Sequence, residues 1–458
     1  MAFGFACLPA GATYRLLRAR VPAVLVPTRG LAADEDGLSL VDITVESGRI
    51  ASIVAAGTAS LDTGLDAVEL DGGIVLPRPV DIHTHLDKGY LWPRRPNRDG
   101  TFMSALAGVD QDRSQHWTAD DVRTRMNFGL RCAFAHGTGA IRTHLDSIGD
   151  QTDISWPVFA ELREEWRGRI ALQATALFPL DLVLDEETFR HVVATVARHG
   201  GLLGGVTFLG QAPDAATDHA LDRIFQAADA EGLDVDLHVD ESASPDARTL
   251  ERIARAVIRN EFRGKVLCGH CCSLALQPEA EAERVIDLVA EARLAVVSLP
   301  LCNLYLQDRQ PRRTPRWRGV VPIHELQAAG VPVMVASDNT RDPFYAYGDL
   351  DMIEVFREAT RILHFDHSGH DWLRTIAATP ADVMGLDRHG RIEAGDAADF
   401  VLTRARSLNE FLSRPQSDRM VVVAGRPIDT TLPDYRELDP LMNVPRRNAF
   451  GSQARSDG

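Results

Sequence analysis

His83 and His85 stand two residues apart in the stretch VDIHTHLDKGY, residues 80–90. The apolar residues 74–76, followed by Val80 and Ile82, predict a buried strand running into this pair. Residues i and i+2 of a strand point to the same face, so both imidazoles can reach one point in space. A His-x-His at the C-terminal end of a strand is half of a metal site. A hydrogen-bonded core pair is the plainer reading of two histidines alone, so the case rests on what accompanies them. His144, His238, His270 and Asp338 each fall at the end of a further predicted strand, and Glu241 lies just past His238. Three neutral imidazoles and one carboxylate from this set suit Zn²⁺ or Fe²⁺ better than Mg²⁺ or Ca²⁺, which prefer oxygen. A divalent cation there lowers the pKa of water toward ~7. Glu241 is placed to shuttle protons to a substrate, and His270 to stabilise an oxygen carrying developing charge. Asp338 can serve both as a ligand and as acceptor of the water's proton.

Groups so far apart in sequence converge only if the elements carrying them form a ring. From residue 77 onward, apolar strands alternate with helices. Thr118 with Asp120 and Asp121 reads as a helix N-cap, Val122, Met126, Leu130 and Phe134 recur every four residues, and His136-Gly137 closes the helix. Counting from VDIHTH, the strands GAIRTHL, RIALQATALF, LLGGVTFL, LDVDLHVDE, GKVLCGH, RLAVVSL and VPVMVASDN make eight. Eight strand–helix units over about 300 residues predict a (β/α)8 TIM barrel, whose catalytic groups sit at the C-terminal strand ends. An open doubly wound sheet would carry a Gly-rich phosphate turn after its first strand, and none is present.

Residues 14–76 read instead as short strands, with a hairpin around Ser47-Gly48, and β-like pieces return after Arg388. The expected division is a composite β-sandwich domain from 1–76 and 386–445, a barrel over 77–385, and a disordered tail at 446–458.

The chain has 458 residues, 45% hydrophobic and 25% charged, which is ordinary globular composition. A net charge of −16 argues against nucleic acid or an anionic membrane as partner. No apolar run reaches ~20 residues, so no membrane span is expected. The opening residues lack the leading positive charge of a signal peptide. Six cysteines, with Cys271 and Cys272 adjacent, do not form a disulfide framework, and Cys268, Cys271, Cys272 and Cys302 lack the spacing of a zinc cluster. A cytoplasmic location is expected.

The motifs HTHLD (83–87), RTHLD (142–146), HVDE (238–241), GHCCS (269–273), PLCNLYLQDR (300–309), SDNTRDPFYAYG (337–348) and RIEAGDAADFVL (391–402) resemble the amidohydrolase superfamily, within it the cytosine deaminase group. The resemblance covers roughly residues 40–430. It implies a mononuclear site with His83, His85, His238 and Asp338 as ligands of one Zn or Fe(II) ion per subunit, and with Glu241, His270 and Asp338 as catalytic groups. It also implies a small-molecule substrate and a homo-oligomer. Lys88 and Lys265 are the only lysines. The carboxylated lysine that bridges two metals in many superfamily members therefore has no source on the fourth strand.

The expected pocket comprises Phe178, Leu180, Asn339, Phe344 and Lys88. Leu180 stands where the cytosine deaminase group carries a glutamine, and Asn339 where it carries a second aspartate. A leucine neither donates nor accepts, and a site built on hydrogen bonds rejects substrates strongly when they go unmet. The expected activity is therefore metal-dependent deamination of an amino-substituted N-heterocycle or related amidine, not cytosine. The alternatives are release of a substituted amine or opening of an amide, as in triazine-degrading relatives, and a non-catalytic scaffold. The loops 88–102 and 307–319 are arginine-rich and read either as substrate contacts or as solvated basic loops.

Overall fold

The computed structural model describes residues 7–9, 11–58, 64–208, 210–369 and 371–442; the tail expected at 446–458 lies outside them. The N-terminal strands are β1 (Tyr14–Pro22), β2 (Leu38–Glu46), β3 (Arg49–Ala55), β4 (Ala67–Glu69) and β5 (Val75–Pro77). The barrel strands follow: β6 (Val80–Thr84), β7 (Ala140–Asp146), β8 (Ala171–Leu177), β9 (Leu203–Val206), β10 (Val235–Val239), β11 (Val266–His270), β12 (Ala295–Ser298) and β13 (Val333–Val335). The chain closes with β14 (Phe400–Leu402), β15 (Met420–Val423) and β16 (Arg426–Pro427).

The eight strands β6–β13 are parallel, in runs ordered β6-β7-β8 and β13-β12-β11-β10-β9. Parallel bridges Thr175–Leu202 and Pro179–Val206 join β8 to β9, and Thr84–Asp338 joins the end of β13 to β6. The ring is thereby closed, as the alternation of strands and helices predicts. Its bore is filled by Val80, Ile82, Leu267, Val297 and Met334, all fully or almost fully buried.

Two four-stranded sheets, β3-β2-β1-β4 and β16-β15-β14-β5, come from the two ends of the chain. Leu16, Ile43, Val45 and Ile50 of the first pack in one core with Phe400 and Val422 of the second. The hairpin expected at Ser47-Gly48 is present, with Glu46 opposite Arg49 and φ of 51° and 78° at the two turn residues. Two positive φ angles are what a type I′ hairpin turn demands. A Cβ on Gly48 would also stand 2.5 Å from the Ala424 carbonyl oxygen, so the second end of the chain packs onto this turn.

Helices α1 (Phe102–His116) and α2 (Ala119–His136) follow β6. Thr118 caps α2, accepting from the Asp121 amide, and Gly137 ends it at φ 99°. Then come α3 (Gln151–Glu165), α4 (Glu186–His199), α5 (Ala215–Glu231), α6 (Thr249–Arg259), α7 (Glu279–Glu291) and α8 (Pro300–Leu306). Helix α1 has no counterpart in the sequence expectations, which end the loop after β6 at residue 102. Its Thr101 cap accepts from the Ser104 amide, but only Ala105, Val109 and Asp112 are buried. With so little of it facing a core, the helical period of apolar residues that announces α2 is absent. Among the described residues, no helix is long and apolar enough to cross a membrane.

Candidate metal centre and substrate cavity

The pleat of β6 carries His83, and His85 follows one residue past the strand's end. The β6–β7 register shifts between Asp81 and Thr84, a bulge beside His83 of the kind that re-aims side chains at sites. His238 comes from β10, and Asp338 lies just beyond β13. The Asp338 amide donates to the His83 carbonyl (2.9 Å) and its carbonyl accepts from Thr84 Oγ1 (2.8 Å). These two bonds hold a non-glycine residue at φ 61°, a left-handed backbone conformation that local packing has to enforce.

His238 Nε2 lies 3.2 Å from the Nε2 of His83 and 3.2 Å from that of His85. Asp338 Oδ1 lies 3.6 Å from His83 Nε2 and 3.2 Å from His85 Nε2. Four ligands at ~2.0–2.1 Å from a tetrahedral ion would stand about 3.3–3.4 Å apart. Neither Asp338 oxygen accepts from a nitrogen or hydroxyl donor, although the residue is fully buried beside the Cys302 thiol. A buried carboxyl without a partner is costly, and a cation at the centre of the four atoms would satisfy it. The donor set fits a divalent transition-metal ion. Burial pushes the three imidazoles well below the usual histidine range, so they stand neutral with lone pairs to give. His270 also brings a ring nitrogen within 4.8 Å of the group formed with His83, His238 and Asp338.

His144 stands behind this cluster, its Nε2 3.1 Å from His83 Nδ1. Asp236, 3.8 Å from His144 Nε2, is held by Arg142 at 3.1 Å. Such outer partners fix the ring orientation and tautomer of a ligating histidine. Glu241 and His270 share a partner from the stretch PLCNLYLQDR, residues 300–309. Asn303 Nδ2, from α8, donates to Glu241 Oε1 and to His270 Nδ1, each at 3.0 Å. Burial, reinforced by Asp338, raises the Glu241 carboxyl well above its ordinary range, and burial lowers the His270 imidazole to about 3.

These groups open onto a cavity of about 480 Å³. Phe178, Asn339, Phe344 and Lys88 line it, as do Phe102, Met103, Leu106 and Arg113 of the unanticipated α1. Leu180 departs from expectation: Pro179 leads into a 3-10 turn, Leu180–Leu184, and Leu180 lines an adjoining cavity with Asp181 and Thr207. Asn339 is held by its Nδ2 on Asp342 (2.7 Å). Lys88 pairs with Asp146 (2.7 Å) rather than with Asp87, and Asp146 also accepts from Arg113 (3.0 Å). Of the arginine-rich loops, Arg94 is spent on Asp112 and Asp121, and Arg313 on Asp308. The basic group that reaches the cavity wall beside Lys88 is Arg113, from outside both loops.

A closed parallel barrel with a three-histidine, one-aspartate cluster at its strand ends defines a metal-dependent hydrolase architecture. Residues 166–429 match the amidohydrolase family model, and the chain belongs to that family. It is accordingly a hydrolase of carbon–nitrogen bonds other than peptide bonds. It is 54% identical over 444 residues to the pterin deaminase of Rhizobium rhizogenes strain K84, covering 97% of this chain and 100% of that one. It is 25% identical to the N-isopropylammelide isopropyl amidohydrolase of Pseudomonas sp. strain ADP, over 84% of this chain and 92% of the relative. In structure it is similar to 5-methylcytosine deaminase from Klebsiella pneumoniae, with a TM-score of 0.76 at 23% identity, covering 91% of this chain and 97% of that one.

Proposed function

We propose that this enzyme hydrolyses the exocyclic amino group of a pterin, releasing ammonia and leaving a ring carbonyl. The observation that carries the reading is the 54% identity to a pterin deaminase across 97% of the chain. The cavity supports it: Phe102, Phe178 and Phe344 give aromatic walls suited to a flat bicyclic heterocycle, and the hydrogen-bonding glutamine of cytosine readers is missing.

In this reading residues 77–385 are the catalytic barrel and 1–76 with 386–445 the β-domain. His83, His85, His238 and Asp338 hold one divalent ion, Zn²⁺ or Fe²⁺, which when bound supplies Lewis acidity and makes water acidic enough to ionise near neutral pH. The second oxygen of Asp338 is free to accept the water's proton. Glu241 carries protons between the attacking water and the substrate, ending on the departing nitrogen, and its raised pKa suits both halves of that task. His270 turns its unpartnered Nε2 toward the reacting centre and donates to the oxygen on which charge develops. Lys88 and Asn339 face the ring's polar edge, and the phenyl walls exclude water from its faces.

The test is ammonia release, with metal content measured on the same preparation, from pterin, cytosine and an N-alkylated triazine. Ammonia from pterin with about one metal per chain and none from cytosine is the expected result. Alkylamine from the triazine without ammonia from pterin would move the enzyme to the amine-releasing class. Failure on every substrate at full metal content would end the reading.

A further inference from the structure

The seventh barrel strand, β12, ends at Ser298 and places no titratable side chain at the centre. The seven-residue helix that follows it, α8, does bring a polar side chain there. Its second turn carries Asn303, fully buried, with its amide N–H on the Leu299 carbonyl and its own carbonyl accepting from the Gln307 amide. The backbone of this residue is therefore fixed before its side chain is considered.

The two N–H bonds of its side-chain nitrogen are both used, one on Glu241 and one on His270, each at 3.0 Å. The orientation of the amide is decided by chemistry. With Glu241 ionised, the state in which it accepts the water's proton, turning the amide over would set Oδ1 against a carboxylate oxygen, acceptor on acceptor. With nitrogen facing His270, the Nδ1 of that ring must be the lone-pair nitrogen. A neutral imidazole has one proton, so His270 carries it on Nε2. Nε2 is buried and has no partner in the protein, as a donor reserved for a ligand oxygen would be. The same amide divides the work of Glu241: Oε1 is anchored on Asn303, leaving Oε2 to exchange protons.

We propose that Asn303 is a positioning residue for catalysis. Through one nitrogen it selects the His270 tautomer that donates into the cavity and fixes the rotamer from which Glu241 transfers protons. It does not line the cavity and its side chain bonds none of the four metal-binding residues, so it acts on turnover and not on binding. This inference rests on the aminohydrolase reading for its effect on rate, but not for the tautomer.

The decisive variant is Asn303→Asp, which keeps the shape, removes both donors and sets an acceptor against His270 Nδ1. The histidine signals of ¹⁵N-labelled, metal-loaded protein are read in long-range proton–nitrogen spectra, with His270 assigned by its loss in His270→Gln. The parent should show the proton on Nε2, and Asn303→Asp should move it to Nδ1. With pterin as substrate, Asn303→Asp and Asn303→Ala should lower kcat at least ~100-fold, within the range of lost acid–base and oxyanion assistance. KM should change less than threefold and metal content not at all. Asn303→Ser, with one donor left, should fall between. A parent His270 protonated on Nδ1 would overturn the proposal. So would kcat within threefold of the parent in Asn303→Asp, or a loss of kcat matched by loss of metal, which would make Asn303 a packing residue. Should the parent not deaminate pterin, the functional reading falls while the tautomer measurement still judges Asn303.

Discussion

Gly269, on β11, carries no functional group, yet replacing it with alanine should damage the centre. A Cβ at this position would stand 2.9 Å from Cε1 and 3.1 Å from Nδ1 of His83. Optimal carbon–carbon contact begins near 3.5 Å, so the ring must retreat by about 0.6 Å. It has no free direction, because Nδ1 is held by His144 at 3.1 Å and Nε2 faces His238 at 3.2 Å. The backbone of Gly269 does not have a positive φ, so the effect is one of contact and not of strain. Misplacing a reacting group by ~1 Å costs about 10²-fold in rate, and disturbing a ligand's outer support costs ~10–100-fold in metal affinity. Gly269→Ala should therefore fold, bind metal ~10–100-fold more weakly and turn over at least ~10-fold more slowly when saturated with metal. Chelator competition gives the affinity, and ammonia release under excess metal gives the rate. Unchanged metal affinity together with kcat within threefold of the parent would show that His83 is not held as described, and the ligand argument would lose its geometric support.

Glu241→Gln keeps the bond to Asn303 in shape while removing proton transfer; kcat should fall ~10²–10⁴-fold at unchanged metal content, and a loss below tenfold would remove Glu241 from the mechanism. His83→Ala should leave less than half the parent's metal after gel filtration, and equal stoichiometry would exclude it as a ligand. Lys88→Met interrupts a buried pair but leaves Asp146 with Arg113, so a destabilisation of about 3 kcal/mol, the low end for such a break, should appear in the unfolding midpoint of metal-loaded protein. At the surface, hydrogen bonds from Arg284 and Arg255 hold Glu251 at about 2, below its ordinary value. A carboxyl whose folded-state pKa is depressed contributes stability above about pH 4.5 that fades as pH falls toward 2. The parent should thus exceed Glu251→Gln by about 1 kcal/mol at pH 7 and converge with it near pH 2; a gap independent of pH would disprove the linkage.

The ring of strands was legible because a parallel strand buried on both faces leaves a histidine or aspartate conspicuous at its end. Asn303 was not, since an uncharged amide among the apolar residues of PLCNLYL carries no signal until the fold brings β10, β11 and α8 together. Helix α1 escaped notice because Phe102, Met103 and Leu106 turn to the cavity and so break the pattern of a core-facing face. Leu180 misled through nearness in sequence to Phe178: the turn begun by Pro179 carries the two side chains to different cavities. The basic loops showed their charge but not its partners, which lie on Asp112, Asp121 and Asp308.

The scarcity of lysine has a practical side. Lys88 is buried and paired beside the cavity, while Lys265 is exposed and precedes β11, at the end of the barrel opposite the histidine–aspartate cluster. Among the lysine side chains, amine-reactive coupling would thus address Lys265, whose Nζ donates to the Asp382 and Val383 carbonyls (2.7 and 3.2 Å). Attachment through that side chain would turn the mouth of the cavity toward the solution.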